Sequence, residues 1–448
     1  MLQAFINSFR IPDLRKKLFI TLLLLAIYRI GAYIPTPGVN GAALIQFFNN
    51  VAKSQGGGLF GIMDMFSGGA LTRLTIFALG IMPYISASII LQLLVTVVPY
   101  LEKLSKEGEG GRRKMIQYTR YGTIVLSVVQ AFFISMWLES PARFQGLQIV
   151  DYPGWGFRLL TVITLTTGTA FIMWIGEQIQ EYGIGNGISL VITAGIISRL
   201  PTALEQVFTL IFAPAKSIIK YPFFTLVFMS VIGVAVVVAV ILITQGQRKI
   251  PVQYAKRIVG RKVYGGQSTY IPLRVNQAGV IPIIFAQSII LFPATVAGFI
   301  PNPGLQRFAE NLMRGQILYT VLYSVLIIFF AYFYTAITFN PADVADNMKK
   351  YGGFVPGVRP GRPTAEYFDF IMTRITLPGA IFLAFIAVFP DMLGAWLKIP
   401  YLIASFFGGT ALLIVVGVML DTMRAVESQL LMRHYEGFLK KGKIRGRR

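Results

Sequence analysis

The chain has 448 residues, of which 55% are hydrophobic and 13% charged, and its mean hydropathy is +0.65. A soluble domain carries about a quarter charged residues, so this composition leaves too little polar surface to cover a globule. It excludes a disordered chain, a coiled coil and a small secreted domain, and it predicts a polytopic membrane protein. The 41 Lys and Arg exceed the 19 Asp and Glu by 22, which favours contact with anionic lipid headgroups or an acidic partner.

Cysteine is absent, so the chain forms no disulfide, thiolate nucleophile or zinc–thiolate cluster. The single histidine, His434, lies in the basic tail, where we expect a solvated side chain. The basic residues 10–17 lead into a long first apolar stretch that ends at Pro35 and Pro37. This pattern differs from that of a cleavable signal peptide.

Ten stretches of mostly apolar residues are each about 20 residues long, the length that spans a bilayer. They cover residues 18–34, 74–98, 117–138, 159–176, 187–206, 223–244, 275–296, 317–339, 375–393 and 400–420. Cytoplasmic loops carry the excess of Lys and Arg. With both termini in the cytoplasm, 30 of the 41 basic residues fall on that side, so we predict that both ends are cytoplasmic.

Spans 2 and 7 contain related sequences. Residues 80–91 and 279–290 are identical at five of 12 positions, and Tyr118-Thr119 and Tyr319-Thr320 open the following spans at nearly the same offset. Spans five apart cross in opposite directions, so the pattern predicts two inverted five-helix halves with a passage between them. The predicted order is a cytoplasmic segment 1–17, a first half 18–206, an outer connection 207–222, a second half 223–420 and a cytoplasmic tail 421–448.

A glycine-flanked apolar segment, residues 57–70, lies on the outer side between spans 1 and 2 and is too short to span the membrane. Backbone at membrane depth must be helical or shielded by protein. The residues alone leave two interpretations open: a re-entrant helix hinged by glycines, or an interfacial helix.

The predicted passage offers no acidic group at mid-membrane, although ion-coupled transporters need ionisable residues there. Arg29 is the charge that we place well inside a span, and we interpret it as snorkelling or pairing near the outer interface. The glycine-rich stretches 108–114 and 183–187 lack the spacing or strand context of phosphate-binding and dinucleotide-binding loops. We therefore predict no catalytic residue, no metal ligand and no cofactor, and a partner must drive whatever crosses. The mid-span polar residues are neutral: Ser86, Ser88, Gln92, Gln130, Gln287 and Ser288.

Two cytoplasmic loops carry more basic residues than orientation requires. Loop 245–274 interleaves Lys and Arg with tyrosines, and loop 340–374 presents Arg359 within a Pro/Gly-rich run. Such loops are suited to bind an acidic protein or RNA phosphate. The alternative interpretation is that their charge only sets the membrane topology of the chain. The candidate docking residues are Arg248, Lys249, Lys256, Arg257, Arg261, Lys262, Arg359 and Arg362.

Long motifs in chain order resemble the SecY family, the central channel subunits of the bacterial Sec protein translocase. These motifs are residues 66–70, 76–88, 108–114, 176–178, 183–189, 279–282 and 354–361. The resemblance covers nearly the whole chain, except the outer loops 199–222 and 294–316 and the extreme N-terminus. It implies an all-α fold of ten transmembrane helices around an hourglass pore, in the inner membrane of a bacterium.

The resemblance also implies roles for individual residues. The pore constriction would be a ring of Ile81, Ile85, Ile188, Ile192, Ile284 and Ile414. The segment 57–70 would be a re-entrant plug that blocks the pore from outside, including Leu59, Phe60, Ile62, Met63, Asp64, Met65 and Phe66. A lateral gate between spans 2–3 and 7–8 would contain Ser86 and Phe292 at family positions, with Gln92 and Gln130 in the same polar seam and Gln287 added from its position alone.

The partners implied are the small subunits SecE and SecG, the motor ATPase SecA, the ribosome, signal sequences and nascent polypeptides, with anionic lipids indicated by the charge. The function predicted is a passive, gated protein-conducting channel that is not an enzyme. The alternatives are a secondary transporter with inverted repeats, which predicts a mid-membrane carboxylate, and a scaffold that holds ribosomes at the membrane, which gives no reason for a constriction and a plug.

Overall fold

Helices make up most of the structure, which is a computed structural model. It describes residues 11–55, 64, 67–140, 144, 147–212, 222–254, 257–259, 262–264, 268–299, 304–305, 317–397 and 401–441. In chain order the helices are α1 Pro12–Gly31, α2 Gly41–Gln55, α3 Met82–Val97, α4 Pro99–Lys106, α5 Glu109–Leu138, α6 Trp155–Tyr182, α7 Gly187–Ile197, α8 Leu200–Phe212, α9 Pro222–Gln245, α10 Ile281–Phe299, α11 Ile317–Thr338, α12 Pro341–Lys350, α13 Arg362–Leu397, α14 Tyr401–Phe406 and α15 Gly409–Lys441.

Each of the ten predicted spans overlaps one or two of these helices. Among the described residues, seven stretches of helix are long and apolar enough to cross a membrane, and the bent pair α3–α4 makes an eighth if it is counted as one span. The other two predicted spans correspond to α1, which carries basic residues in its first turns, and to α10, whose apolar part Ile281–Ala294 is shorter.

The second span begins later than the sequence predicts. Its helix starts at Met82 instead of residue 74, and residues 67–81 form turns whose apolar side chains are largely buried. Gly80 adopts a left-handed φ of +58° just before the helix. The non-helical backbone is covered by span 4, since a Cβ added at Gly168 would lie 1.9 Å from the carbonyl oxygen of Ile76. Such shielding is what allows irregular backbone at membrane depth.

Two other predicted spans are interrupted. Span 5 breaks at Ser198 and Arg199, between α7 and α8. Span 10 breaks after Phe406 and restarts at Gly409, which has a φ of +79°. Helix α15 then continues through residue 441, so much of the predicted tail extends the last span. These breaks lie inside apolar stretches, where hydropathy gives no boundary.

The two halves meet along specific helix pairs. In the first half α5 packs on α3 and α6, and in the second half α11 packs on α10 and α13. Across the halves, α10 contacts α3 and α5, and α15 contacts α7. One hydrophobic cluster extends from Tyr28 to Val418 through these contacts. The interface between the halves is therefore continuous apolar core, at the place where inverted repeats put a pathway.

The two basic loops form one small domain. Strand β1 (Gln247–Tyr254) pairs antiparallel with β4 (Ser268–Arg274) and with β5 (Gly353–Phe354), in the order β4-β1-β5. Strands β2 (Arg257–Val259) and β3 (Lys262–Tyr264) pair separately. A core joins Ile250 and Val252 of the first loop to Met348, Val355 and Phe368 of the second. These strands are an addition to the all-helical architecture predicted for the spans.

Candidate functional site

The six predicted constriction residues all belong to the hydrophobic cluster between the halves. Five are buried and Ile188 is half-buried against them. They come from α3 and the residue before it (Ile81 and Ile85), α7 (Ile188 and Ile192), α10 (Ile284) and α15 (Ile414). Because α3 packs on α10 and α7 packs on α15, both halves contribute aliphatic side chains to this cluster.

Two glycines position Ile188. A Cβ added at Gly187 would lie 1.9 Å from the carbonyl oxygen of Gly176, so α6 and the start of α7 approach as closely as backbones can. Asn186 caps α7, and its Oδ1 accepts hydrogen bonds from the backbone N–H of Ile188 at 3.1 Å and of Ser189 at 3.2 Å. The motifs 176–178 and 183–189 therefore fix the first turn of a helix that carries two of the six isoleucines.

Three of the predicted gate residues line one small pocket between α3, α5 and α10. Ser86, Gln130 and Phe292 come together there, although they lie far apart in the sequence. Ser288 joins them and donates its hydroxyl hydrogen to the carbonyl oxygen of Ile284 at 2.8 Å. The remaining lining residues are apolar: Leu79, Met82 and Leu291.

The other two gate candidates lie elsewhere. Gln287 is buried on the side facing α11, where its Oε1 accepts a hydrogen bond from the Tyr323 hydroxyl at 3.2 Å. Its amide nitrogen has no hydrogen-bond partner among the described residues. Gln92 is half-buried and donates to the Ser88 hydroxyl of its own helix at 3.3 Å. The structure thus separates Gln92 and Gln287 from the pocket.

Most of the predicted plug lies outside the described residues: Leu59, Phe60, Ile62, Met63, Met65 and Phe66. Asp64 is described and buried, and its carboxylate pairs with Arg199 and accepts from the Thr72 backbone N–H at 2.9 Å. Its carbonyl oxygen accepts from the Gly69 N–H at 2.9 Å. The C-terminal end of the segment therefore packs inside the protein.

Arg29 has a protein partner in the structure. Its Nη1 donates to the carbonyl oxygen of Gly68 at 3.1 Å, and its Nη2 donates to the Tyr33 hydroxyl at 3.3 Å. Arg199 is not among the site residues predicted from the sequence, although it lies within the predicted span 187–206. A charge inside an apolar stretch itself indicates a functional or paired residue. This criterion alone would have identified Arg199.

The docking candidates lie on the domain formed by the two loops. Arg248, Lys249, Arg359 and Arg362 are exposed. The Lys249 ammonium lies 4.7 Å from the centroid of the Tyr270 ring, and Arg362 pairs with Glu366 at 3.0 Å. Arg257 and Lys262 lie on the paired strands β2 and β3, and Lys256 and Arg261 fall outside the described residues. The sheet brings the two loops into one basic surface.

Comparison with known proteins places this arrangement in a family. The SecY family model matches residues 75–423. The chain belongs to the SecY family. Protein translocase subunit SecY of Streptomyces galbus is 48% identical over 451 residues, which cover 98% of this chain and 100% of the relative. The SecY subunit of Escherichia coli K12 is 48% identical over 438 residues, which cover 97% of this chain and 96% of that one.

Solved structures share the SecY fold. A protein-conducting channel superposes with a TM-score of 0.65 at 17% identity, covering 93% of each chain. Sec61 from the canine ribosome–channel complex gives a TM-score of 0.60 at 16% identity, also covering 93% of each chain. The described part of this SecY-family chain contains no group of three His, Asp or Glu side chains that could hold a metal ion.

Proposed function

We propose that this chain forms the gated channel through which unfolded secretory polypeptides cross the cytoplasmic membrane, and from which apolar segments move sideways into lipid. The observation that supports this function is the continuous apolar cluster that joins the two halves, to which α3, α7, α10 and α15 each contribute isoleucines. An apolar constriction closes to water and ions by dewetting. It also offers a passing chain no charge or hydrogen-bonding site, as a channel for many different substrates requires.

The pocket between α3, α5 and α10 supports a lateral gate. Its polar members, Ser86, Gln130 and Ser288, are neutral, and the Ser288 hydroxyl is bonded within its own helix. Even an interhelical hydrogen bond in a bilayer is worth only about 0.6–2 kcal/mol. A seam of this kind separates at small cost when an apolar signal sequence inserts between the helices. The segment 57–70 is the proposed plug, with Asp64 and Gly68 at its anchored end.

The exposed basic surface is the proposed docking site for the driving partners, the motor ATPase SecA and the ribosome. Arg359 lies in the turn after β5, and its carbonyl oxygen accepts a hydrogen bond from the Thr364 hydroxyl at 2.8 Å. This bond ties the turn to the start of α13, and the Arg359 side chain is exposed. Of the solved structures with this fold, Sec61 comes from a ribosome–channel complex, and the yeast Ssh1 complex is bound to the ribosome. SecE and SecG complete the proposed complex, with both termini of this chain in the cytoplasm.

The absence of native cysteine allows a direct test. An Ile284→Cys chain is placed in vesicles with the small subunits and the motor ATPase, together with a stalled secretory precursor that carries one Cys. We expect a disulfide that requires ATP and a working signal sequence. Ile381→Cys is the matched control, because Ile381 is 52% exposed on the surface of α13 and lies outside the apolar cluster that contains Ile284. Equal crosslinking at both positions, or crosslinking at Ile381 alone, would contradict the pore assignment.

A further inference from the structure

A buried ion pair lies where the proposed plug rejoins the helical body. The side chains of Asp64 and Arg199 are only 4% and 18% exposed, and the Asp64 carboxylate also accepts from the Thr72 N–H. Arg199 lies in the break directly after α7, where a basic side chain is favoured by the negative end of the helix dipole. Removing one member of such a pair leaves the other charge buried without compensation.

A second contact holds the same segment four residues later. The Gly68 carbonyl oxygen accepts from Arg29 Nη1 at 3.1 Å and from the Ser198 hydroxyl at 3.3 Å. Gly68 has a φ of +65°, and a Cβ added there would lie 2.9 Å from the Cα of Gly195. The segment is therefore fastened to α1 and to the end of α7 by close backbone approach as well as by charge.

The SecY motifs in this chain do not include the charged pair. Asp64 precedes the motif 66–70, and Arg199 follows the motif 183–189, so both lie outside the stretches on which the sequence resemblance rests. The proposed transport route also needs neither charge, because the constriction and the gate pocket are apolar or neutral. A buried Asp–Arg pair at the anchored end of the plug therefore requires its own explanation.

We infer that Arg199 is a positioning residue for the resting channel: its ion pair with Asp64 holds the C-terminal end of the plug in the closed position. This inference rests on the proposed function, in which the plug blocks the pore from outside. When the plug leaves, both charged groups reach water and are solvated, so the pair separates without leaving a buried charge.

The position of Arg199 connects plug release to the constriction. Helix α7 carries Ile188 and Ile192, and Arg199 follows Ile192 by seven residues, about 10 Å at 1.5 Å per helical residue. A displacement of α7 that widens the ring moves Ser198 and Arg199 with it. The same displacement therefore loosens both contacts on the plug segment.

Resting ion leak tests the inference. The full chain with its small partner subunits is reconstituted into vesicles, and iodide efflux is measured without precursor. We expect Asp64→Asn and Arg199→Gln each to raise the efflux several-fold. The double variant should leak no more than the leakier single variant, because the two changes remove one contact. Arg199→Lys and the charge-exchanged pair Asp64→Arg with Arg199→Asp should each recover a large part of the closure.

Glu139 and Arg158 provide the matched control. They form another outer ion pair of similar burial, 9% and 27% exposed, between α5 and α6 and away from the plug segment. Glu139→Gln and Arg158→Gln should leave the efflux unchanged. If these controls leak as much as Asp64→Asn, loss of any outer ion pair opens the channel and the inference is wrong. Additive leaks in the Asp64/Arg199 double variant would equally overturn it.

A variant of the constriction separates the inference from the proposed function. Ile284→Asn should leak in the same vesicles. If it leaks while Asp64→Asn and Arg199→Gln stay closed, the ion pair has no role in closure and the channel assignment stands. If none of the variants leaks, including Ile284→Asn, the proposed constriction fails together with the inference.

Discussion

Gly80 and Gly279 adopt the same left-handed backbone, with φ of +58° and +62°, in two segments that the inverted repeat places in opposite orientations. In both cases a helix begins two residues later, at Met82 or Ile281, and proline occupies its second position. The duplication seen in the sequence is thus retained as a local conformation. Glycine is required at both positions because a left-handed backbone is unfavourable for most residues that carry a Cβ.

Gly279→Ala is expected to destabilise the folded chain by about 1–2 kcal/mol. A Cβ at this position would meet nothing within 4 Å, so the cost comes from backbone conformation alone. Thermal unfolding in detergent measures the change. Gly110→Ala is the control: Gly110 is helical, its Cβ position is also open, and the exchange should be neutral or stabilising by up to about 1 kcal/mol. Equal effects at both positions would contradict the conformational explanation.

Ile284→Asn should loosen the constriction and allow precursors with defective signal sequences to be exported. The amide introduces a polar group into a position that is 7% exposed within the apolar cluster. Water can then enter the constriction, which no longer closes by dewetting. Export of such precursors is the measurement. Ile284→Leu keeps the site apolar and should reject them as the original chain does. If the Asn variant also rejects them, Ile284 does not belong to the constriction.

Deletion of residues 59–66 should leave an assembled channel with a higher ion conductance. The deletion removes the apolar part of the proposed plug and Asp64, and it retains Ser67–Ala70, which are buried against the helical body. Conductance in planar bilayers and copurification with the small subunits are the two readouts. An assembled complex with unchanged conductance would favour the interfacial helix instead of a plug.

Arg359→Glu should abolish export driven by the motor ATPase while insertion and folding of the chain remain largely intact. Arg359 is exposed, so the change removes a contact with the partner without disturbing the core around Phe368. ATP-dependent translocation into vesicles measures the effect. Lys350→Glu makes the same charge change at an exposed position of the same domain and should be tolerated. Full activity of Arg359→Glu would argue against the docking role.

The sequence was sufficient for features that depend on local composition. Long apolar stretches and the repeated Gly–Pro pattern are local: each of the ten predicted spans overlaps a helix, and Gly80 and Gly279 share one conformation. The orientation predicted from the basic loops stays a prediction. The family of the chain is confirmed by the comparisons. Helix boundaries inside apolar stretches were not predictable, because burial against Gly168, and not hydropathy, allows residues 74–81 to leave the helix.

The features that could not be predicted from the sequence depend on contacts between residues far apart in the chain. Asp64 and Arg199 lie on different elements, and no periodicity relates them. Gln253 faces Phe354 across the sheet although the two come from different loops. An isoleucine within a membrane helix has the same appearance whether it faces lipid, core or pore, so only the family resemblance selected the six candidates for the ring.

The three-stranded sheet connects the loop that carries Arg359 to helix α10. Strand β5, next to Arg359, is bonded to β1, and β1 is bonded along its length to β4, which ends at Arg274. The Val275 N–H donates to the Gly246 carbonyl oxygen at 2.9 Å, and a Cβ added at Gly379 would lie 2.7 Å from the carbonyl oxygen of Val275, so this junction is held against α13. Helix α10, with Ile284 and Phe292, begins six residues after Val275. In the proposed function, a partner bound at the Arg359 turn would therefore transmit force through the sheet to the first turn of α10.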